Sequence, residues 1–239
     1  MYAGPRLSGA KGLKIESIYR GSYVTSEGKL IRPKKIKNEL HTDFIGQEIR
    51  YFTEVTSTND VAKELAIKGA KEGTIVIAET QSRGRGRQGR KWVSPAGGIW
   101  FSLILRPKTY PEDALKLTLM TAAVVAKVVS DMFRLKAEVK WPNDIVINGK
   151  KVCGILTETR TKGDIVDFVV IGVGINANIN LDSFPKHLRK SLTSLRKELK
   201  EDINRKRFLC ALLEELEQCY EHPRMKQFFM QNTTSTCNI

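Results

Sequence analysis

The densest chemistry in this 239-residue sequence lies in one stretch, Gly84-Arg85-Gly86-Arg87-Gln88-Gly89-Arg90-Lys91-Trp92. Glycines let backbone amides approach an anion closely. Arg83, Arg85, Arg87 and Arg90 add planar, permanently charged donors suited to phosphate and carboxylate oxygens. The stretch matches GxGxxG literally, but a dinucleotide site needs the third glycine to open a helix. Here Pro95, Gly97 and Gly98 lead into a strand. It also misses the Walker A loop, because Arg90-Lys91 replaces Lys-Ser/Thr and leaves no hydroxyl for magnesium. A kinase loop is excluded because no HRD or DFG segment follows. What remains is an anion-binding loop, expected to stay disordered until a polyanion neutralises it. An RGG-like nucleic-acid tether is disfavoured, since the segment is a single copy inside a globular core.

Further residues with chemical potential are spread along the chain. Ser57 reads as a helix cap, a ligand group, or both, with Asp60 three residues on as in a capping box. Lys140-Trp141-Pro142-Asn143-Asp144 places a lysine, an amide and a carboxylate around a proline, although Asn143 and Asp144 also suit a turn. Lys151 follows Asn148-Gly149, where a solvated lysine is commonplace. Cys153 reads as a small core residue, not a nucleophile, with no His near it in sequence. Trp141 reads as packing.

The elements that must position these groups follow from periodicity. Residues 13–25 read as a β-hairpin and 32–37 as a basic linker, and the core starts near Gly46. Strands are expected over 48–55, 73–78, 98–105, 138–141, 144–147, 151–159 and 167–174. Helices are expected over 58–68, from Pro111 to near Phe133, and over 186–199 and 203–221, with a polar tail from Asn232. Asn148-Gly149 is the strongest short hairpin signal. Strands that meet their neighbours through turns give a mixed, largely antiparallel sheet backed by helices, an α+β core.

Composition bounds the rest. A formal charge of +14 favours phosphate-bearing ligands or acidic partners, although a solvated basic surface accounts for most of it. The longest apolar run, Met120 to Val129, contains Lys127 and is about half the length needed to cross a bilayer. No secretory signal is visible at the N-terminus. Four scattered cysteines and three histidines show no metal-ligand spacing, and a reducing, cytoplasmic setting with no membrane partner is expected.

In order and spacing, Ser57-Thr58-Asn59, Gln81, the GRGRQGRKW stretch, KWPND at 140–144, KVCGIL at 151–156 and GVGIN at 172–176 resemble the biotin–protein ligases. The likeness covers residues 46–222, which it marks as the catalytic domain, with a core like that of class II aminoacyl-tRNA synthetases and lipoate ligases. It implies that Ser57, Thr58, Asn59 and Gln81 hydrogen-bond biotin, and that Arg85, Gly86 and Arg87 belong to a loop ordering over biotin and its adenylate. Arg87 and Arg90 would lie near the phosphates and Trp92 near the adenine. Lys140, Asn143 and Asp144 would bind the triphosphate, with Asp144 on Mg2+, and Asn176 would lie on the ATP side. Lys151 would be the central catalytic lysine, touching both ligands, with Arg87 as its catalytic partner.

The activity so implied is ATP-dependent: biotin is adenylated with release of pyrophosphate, then transferred to a lysine of a biotin carboxyl carrier domain. Assembly as a homodimer is part of the expectation. Residues 1–45 resemble the wing hairpin and connector of the winged-helix domain of bifunctional biotin repressors, without its recognition helices. A wing alone places no helix in a major groove, so no sequence-specific DNA binding is expected. Residues 223–239 read as the truncated start of a small C-terminal β-barrel domain. Two alternatives stay open, a biotin-responsive DNA-binding regulator and a lipoate or octanoate ligase of the same fold.

Overall fold

In the chain's structure, a computed structural model, residues 31, 33–222 and 225 are described. The hairpin expected at 13–25 and the tail from Asn232 lie outside the described residues.

Among the described residues seven strands form one sheet: β1 (Ile49–Val55), β2 (Ile75–Gln81), β3 (Ile99–Leu105), β4 (Ala137–Lys140), β5 (Asp144–Ile147), β6 (Lys150–Lys162) and β7 (Ile165–Ile175). Their spatial order is β1-β2-β3-β7-β6-β5-β4. Of these, only β1 and β2 run parallel, joined by the helix α2 (Thr58–Ile67; α1, Pro33–Lys37, precedes it in the chain), and every other neighbouring pair is antiparallel. The α+β, largely antiparallel sheet expected from the sequence is the one observed.

Two-residue alternation explains both faces. Ile75 and Ile77 of β2, Phe101 and Leu103 of β3, and Ile171 and Val173 of β7 point to one side. There they meet α3 (Ala114–Phe133) and α6 (Arg205–Glu221) in the main core. On the opposite face, Val76, Ile104, Phe168 and Val170 pack against Ala62 and Ala66 of α2. Further along that face the large side chains stop, and β7 continues with Gly172 and Gly174 opposite Leu156 and Gly154 of β6. A hollow opens where the bulk ends.

Several boundaries differ from the sequence expectation. The stretch read as a basic linker is helix α1 (Pro33–Lys37), and Ile31, Ile36, Leu40 and Ile45 are buried in the main core. One apolar side chain at each of these positions ties a strongly basic stretch down, which charge counting does not reveal. The helix expected over 186–199 is broken into α4 (Lys186–Arg189) and α5 (Leu195–Leu199). Between them Ser191 and Thr193 hydrogen-bond to the backbone of Lys151, so a tertiary pairing outcompetes helical continuation. β6 and β7 extend to a turn at Gly163 (φ +63°) that was not anticipated. The Asn148-Gly149 turn forms as expected, with both φ values positive. Among the described residues no helix is long and apolar enough to cross a membrane.

Candidate functional site

The hollow is a cleft of about 640 Å³, bounded by the N-terminus of α2, the end of β2, the glycine-arginine loop, the β4–β5 turn, and β6 and β7. Every site residue expected from the sequence lines it: Ser57 to Asn59, Gln81, Arg85 to Arg87, Arg90 and Trp92, then Lys140, Asn143 and Asp144, and finally Lys151 and Asn176.

At the α2 end the polar groups lock one another. Ser57 occupies the N-cap position without a capping hydrogen bond from its side chain, so the capping box does not form. Its hydroxyl is thereby left to the cleft, and Asp60 serves elsewhere. Thr58 donates its N–H (2.8 Å) to Gln81 Oε1, and Gln81 Nε2 donates to Ser94 Oγ (2.7 Å). Ser102 Oγ lies 2.6 Å from Asn59 Oδ1, which can only accept, so the hydroxyl proton points there. Both amide hydrogens of Asn59 are taken, by Leu156 O (3.2 Å) and Glu158 Oε2 (2.8 Å). The side chain has no freedom to flip.

Three glycines make the floor. A Cβ on Gly172 would fall 2.0 Å from Asn59 Oδ1, and one on Gly174 would fall 2.6 Å from Trp92 Nε1. A Cβ on Gly154 would meet both Trp92 and the Lys151 side chain at about 3 Å. The spacing in GVGIN is thus the spacing of same-face residues along one strand, cleared for Asn59 and Trp92 to lie flat.

The glycine-arginine loop is a small hairpin. Gly86 N–H bonds to Arg90 O (2.7 Å) and Trp92 N–H to Gly84 O (2.8 Å), with a turn at Gln88 and Gly89, both at positive φ. Arg85 pairs with Asp60 (2.7 Å) and Glu158 (2.8 Å). Arg87 donates to Asn143 Oδ1 (3.2 Å), joining the loop to the β4–β5 turn, and Arg90 donates to Gln88 (3.3 Å).

At the far end, Lys151 Nζ lies 2.6 Å from Asp144 Oδ1 and 4.9 Å from the centre of the Trp92 ring. Two buried polar atoms here have no hydrogen-bond partner, Trp92 Nε1 and Asn176 Oδ1, and both residues line the cleft. An unpaired buried donor and acceptor are costly and call for a polar ligand. Asn176 itself is fixed by its Nδ2 donating to Thr193 O (3.0 Å). Trp141, expected to pack, is instead 72% exposed at the cleft rim. Cys153 is fully buried, and burial pushes its thiol well above the ordinary range, with Lys151 pulling it down and Asp144 up more weakly. It is a core residue, as expected. Among the described residues no group of three or more His, Cys, Asp or Glu is arranged to hold a metal ion.

Sequence reasoning passed over Glu158, Asp60 and Ser102. The signal for Glu158 was available in the alternation Gly154, Leu156, Glu158 along one face of β6; Ser102 needed the β3 register, and Asp60 had been assigned to a cap.

The chain belongs to the biotin/lipoate A/B protein ligase family, whose pattern matches residues 51–176. It is 42% identical over 198 residues to the bifunctional ligase/repressor BirA of Bacillus spizizenii, covering 82% of this chain and 61% of that protein. It is 31% identical to the biotin–acetyl-CoA-carboxylase ligase of Mycobacterium tuberculosis, covering 78% of this chain and 71% of that protein. Among solved structures it is similar to the biotin protein ligase of Aquifex aeolicus in complex with biotin and ATP (TM-score 0.63, 29% identity, 78% and 77% coverage). The chain therefore spans about three fifths of the length of the Bacillus relative.

Proposed function

We propose that this chain is an ATP-dependent biotin–protein ligase. The observation that carries the reading is Lys151, whose ammonium sits between the Trp92 ring and the Asp144 carboxylate in a cleft that also holds the Asn59–Gln81 network. One cation in that shared cleft would serve both a carboxylate and a phosphate. The similar Aquifex protein, solved with biotin and ATP, supports the ligand pair.

In this reading Ser57, Thr58, Asn59 and Gln81 orient biotin, and Arg85 and Gly86 close over it. Trp92, Asn176, Lys140 and Asn143 hold ATP, with the unpaired Trp92 Nε1 and Asn176 Oδ1 directed to the nucleotide. The biotin carboxylate oxygen attacks the α-phosphorus, and the bond from that phosphorus to the bridging oxygen breaks as pyrophosphate leaves. Lys151, Arg87 and Arg90 offset the repulsion of the two anions and stabilise the charge that builds on the phosphoryl oxygens. The amine of an acceptor lysine then attacks the acyl carbon, AMP leaves with the electrons of the cleaved C–O bond, and the nitrogen sheds a proton to solvent. The loop hairpin excludes water from the mixed anhydride in between.

A magnesium ion suits the donors present: Asp144 offers one carboxylate beside the Asn143 amide, and this ion is usually held by one or two carboxylates plus substrate phosphates. Bound there, it would neutralise phosphate charge. The acceptor is a biotin carboxyl carrier domain, in line with the carboxylase ligase named for Mycobacterium tuberculosis. A homodimer is supported by the outer edge of Thr157–Lys162, which pairs with no strand among the described residues, and by exposed Leu115 and Ile165. A cytoplasmic setting is supported by the free thiols of Cys153, Cys210 and Cys219.

Incubation with biotin, ATP and magnesium should release pyrophosphate only when biotin is present. Folded protein that releases none, or that responds to lipoate and not to biotin, ends the proposal. Adding a carrier domain separates the second half-reaction from the first.

A further inference from the structure

Lys151 stands where β6 leaves regular pairing. Val146 of β5 faces Lys151 while Ile145 faces Cys153, which leaves Val152 as an extra residue in a bulge. Pairing with β7 on the other edge starts only at Cys153, opposite Ile175. Beside Lys151 the link between α4 and α5 takes that edge: Lys151 N–H donates to Ser191 O and Lys151 O accepts from Thr193 N–H, both at 2.9 Å. Thr193 is fully buried and commits all three of its polar groups to this junction. Its N–H goes to Lys151 O, its carbonyl accepts from Asn176 Nδ2 (3.0 Å), and its hydroxyl donates to Glu198 Oε1. The other oxygen of Glu198, on α5, accepts from Asn148 Nδ2 (3.1 Å) in the turn that leads into β6. One carboxylate thus clasps the chain on both sides of Lys151, at the turn before it and at the segment alongside it.

We propose that Thr193, anchored by Glu198, is a positioning residue for Lys151: the clasp pins the register of the bulged main chain, and with it the direction in which the lysine points. A bulge re-aims a side chain by adding one residue to one strand. Moving that extra residue by one position would turn Lys151 to the opposite face of the sheet, away from Trp92 and Asp144. Neither β5, whose pairing is shifted here, nor β7, whose pairing has not begun, opposes such a slip at Lys151. Thr193 does, through the Lys151 carbonyl, and Glu198 ties Thr193 to the turn that sets where β6 begins. The other end of the cleft does not share this support, since Asn59 and Gln81 make no hydrogen bond to Thr193 or Glu198. A side chain that merely added stability would lower the melting temperature and leave the turnover of the folded protein intact. A register clasp acts on turnover.

The inference deepens the biotin-ligase reading and rests on it for the reaction, but the clasp can be tested with no substrate present. In the full chain, Thr193→Val removes the hydroxyl at nearly constant volume, and the partly exposed Glu198 can turn to solvent. At a temperature where the variant is folded, its kcat for biotin-dependent pyrophosphate release should fall about 10- to 100-fold, with the KM for biotin changed by less than about twofold. Thr193→Ser keeps the hydroxyl and should restore most of the parent's kcat. In Glu198→Ala without ligands, the Thr193 amide should exchange its hydrogen about tenfold faster than in the parent, while amides of β7 keep their rate. A parent-like kcat in Thr193→Val overturns the proposal, as does a loss confined to the KM for biotin, an equal loss in Thr193→Ser, or unchanged exchange at Thr193. Should Thr193→Val fail to fold, Glu198→Ala must show the fall in kcat for the clasp to stand. A parent protein that releases no pyrophosphate sinks the functional reading, and the exchange arm still decides the clasp.

Discussion

At the scale of single residues, the cleft separates groups that act by charge from groups that act by shape. Lys151 belongs to the first kind. Lys151→Ala should cut biotin-dependent pyrophosphate release by about 10²–10³-fold while the melting temperature stays near that of the parent, because the side chain is not part of the core. Full turnover in that variant would refute its assignment. Glu158 gives a pH signature. Burial pushes its pKa up, but the hydrogen bonds from Asn59 and Lys63 and the charges of Lys63 and Arg85 outweigh it, so the carboxyl is held below the ordinary glutamate range. A depressed folded pKa means its contribution is present above the unfolded value, about 4.3, and is lost as pH falls through the folded value. Stability measured from pH 7 downward should therefore decline in acid less steeply for Glu158→Gln than for the parent. Parallel acid limbs would argue against the interaction.

Elements explain what the sequence disclosed and what it hid. The motif residues were legible because they sit at a helix start, a strand end or a turn beside strong local signals, as Lys151 does after Asn148-Gly149. Seven strands and the three long helices were placed from alternation, unbroken apolar runs and local turn and cap signals. The break between α4 and α5 was not, because it depends on Ser191 and Thr193 meeting Lys151 from forty residues away in sequence. Helical periodicity there carried no trace of that pairing. Trp141 was misplaced for a related reason: an aromatic beside a buried strand reads as packing until the strand is seen to be β4, at the sheet's edge. Glycines also divide by mechanism. Gly149 has φ +72° and open space around it, so Gly149→Ala should cost about 1 kcal/mol through backbone strain alone. Gly172→Ala sets a methyl against Asn59 and should abolish measurable biotin binding at concentrations that saturate the parent. Calorimetry and thermal melts distinguish the two, and a Gly172→Ala protein that binds biotin normally would remove the floor from the account.

On the scale of the whole molecule, distant parts of the chain meet through buried carboxylates. Glu217 on α6 receives three consecutive backbone N–H groups, from Asp43, Phe44 and Ile45. Glu79 on β2 accepts from Ile31 N–H (2.9 Å) and from Arg205 (3.0 Å), which also donates to Gly98 O (2.7 Å). Both members of that ion pair are nearly solvent-free, at 4% and 7% exposure. Arg205→Met, by leaving the carboxylate without its cation, should cost about 3–5 kcal/mol, seen as a large drop in denaturation midpoint. None of these long-range partners was legible in sequence, since each links positions 48 or more residues apart. The glycine floor has a consequence for how such a cleft can change over generations. Glycine is already the smallest residue, so any replacement at 154, 172 or 174 subtracts space and none adds it. A ligand with a bulkier acid portion can gain entry only through the hairpin and the α2 end, the parts made of long polar side chains. Ligand choice in this molecule is therefore adjustable from above and fixed from below.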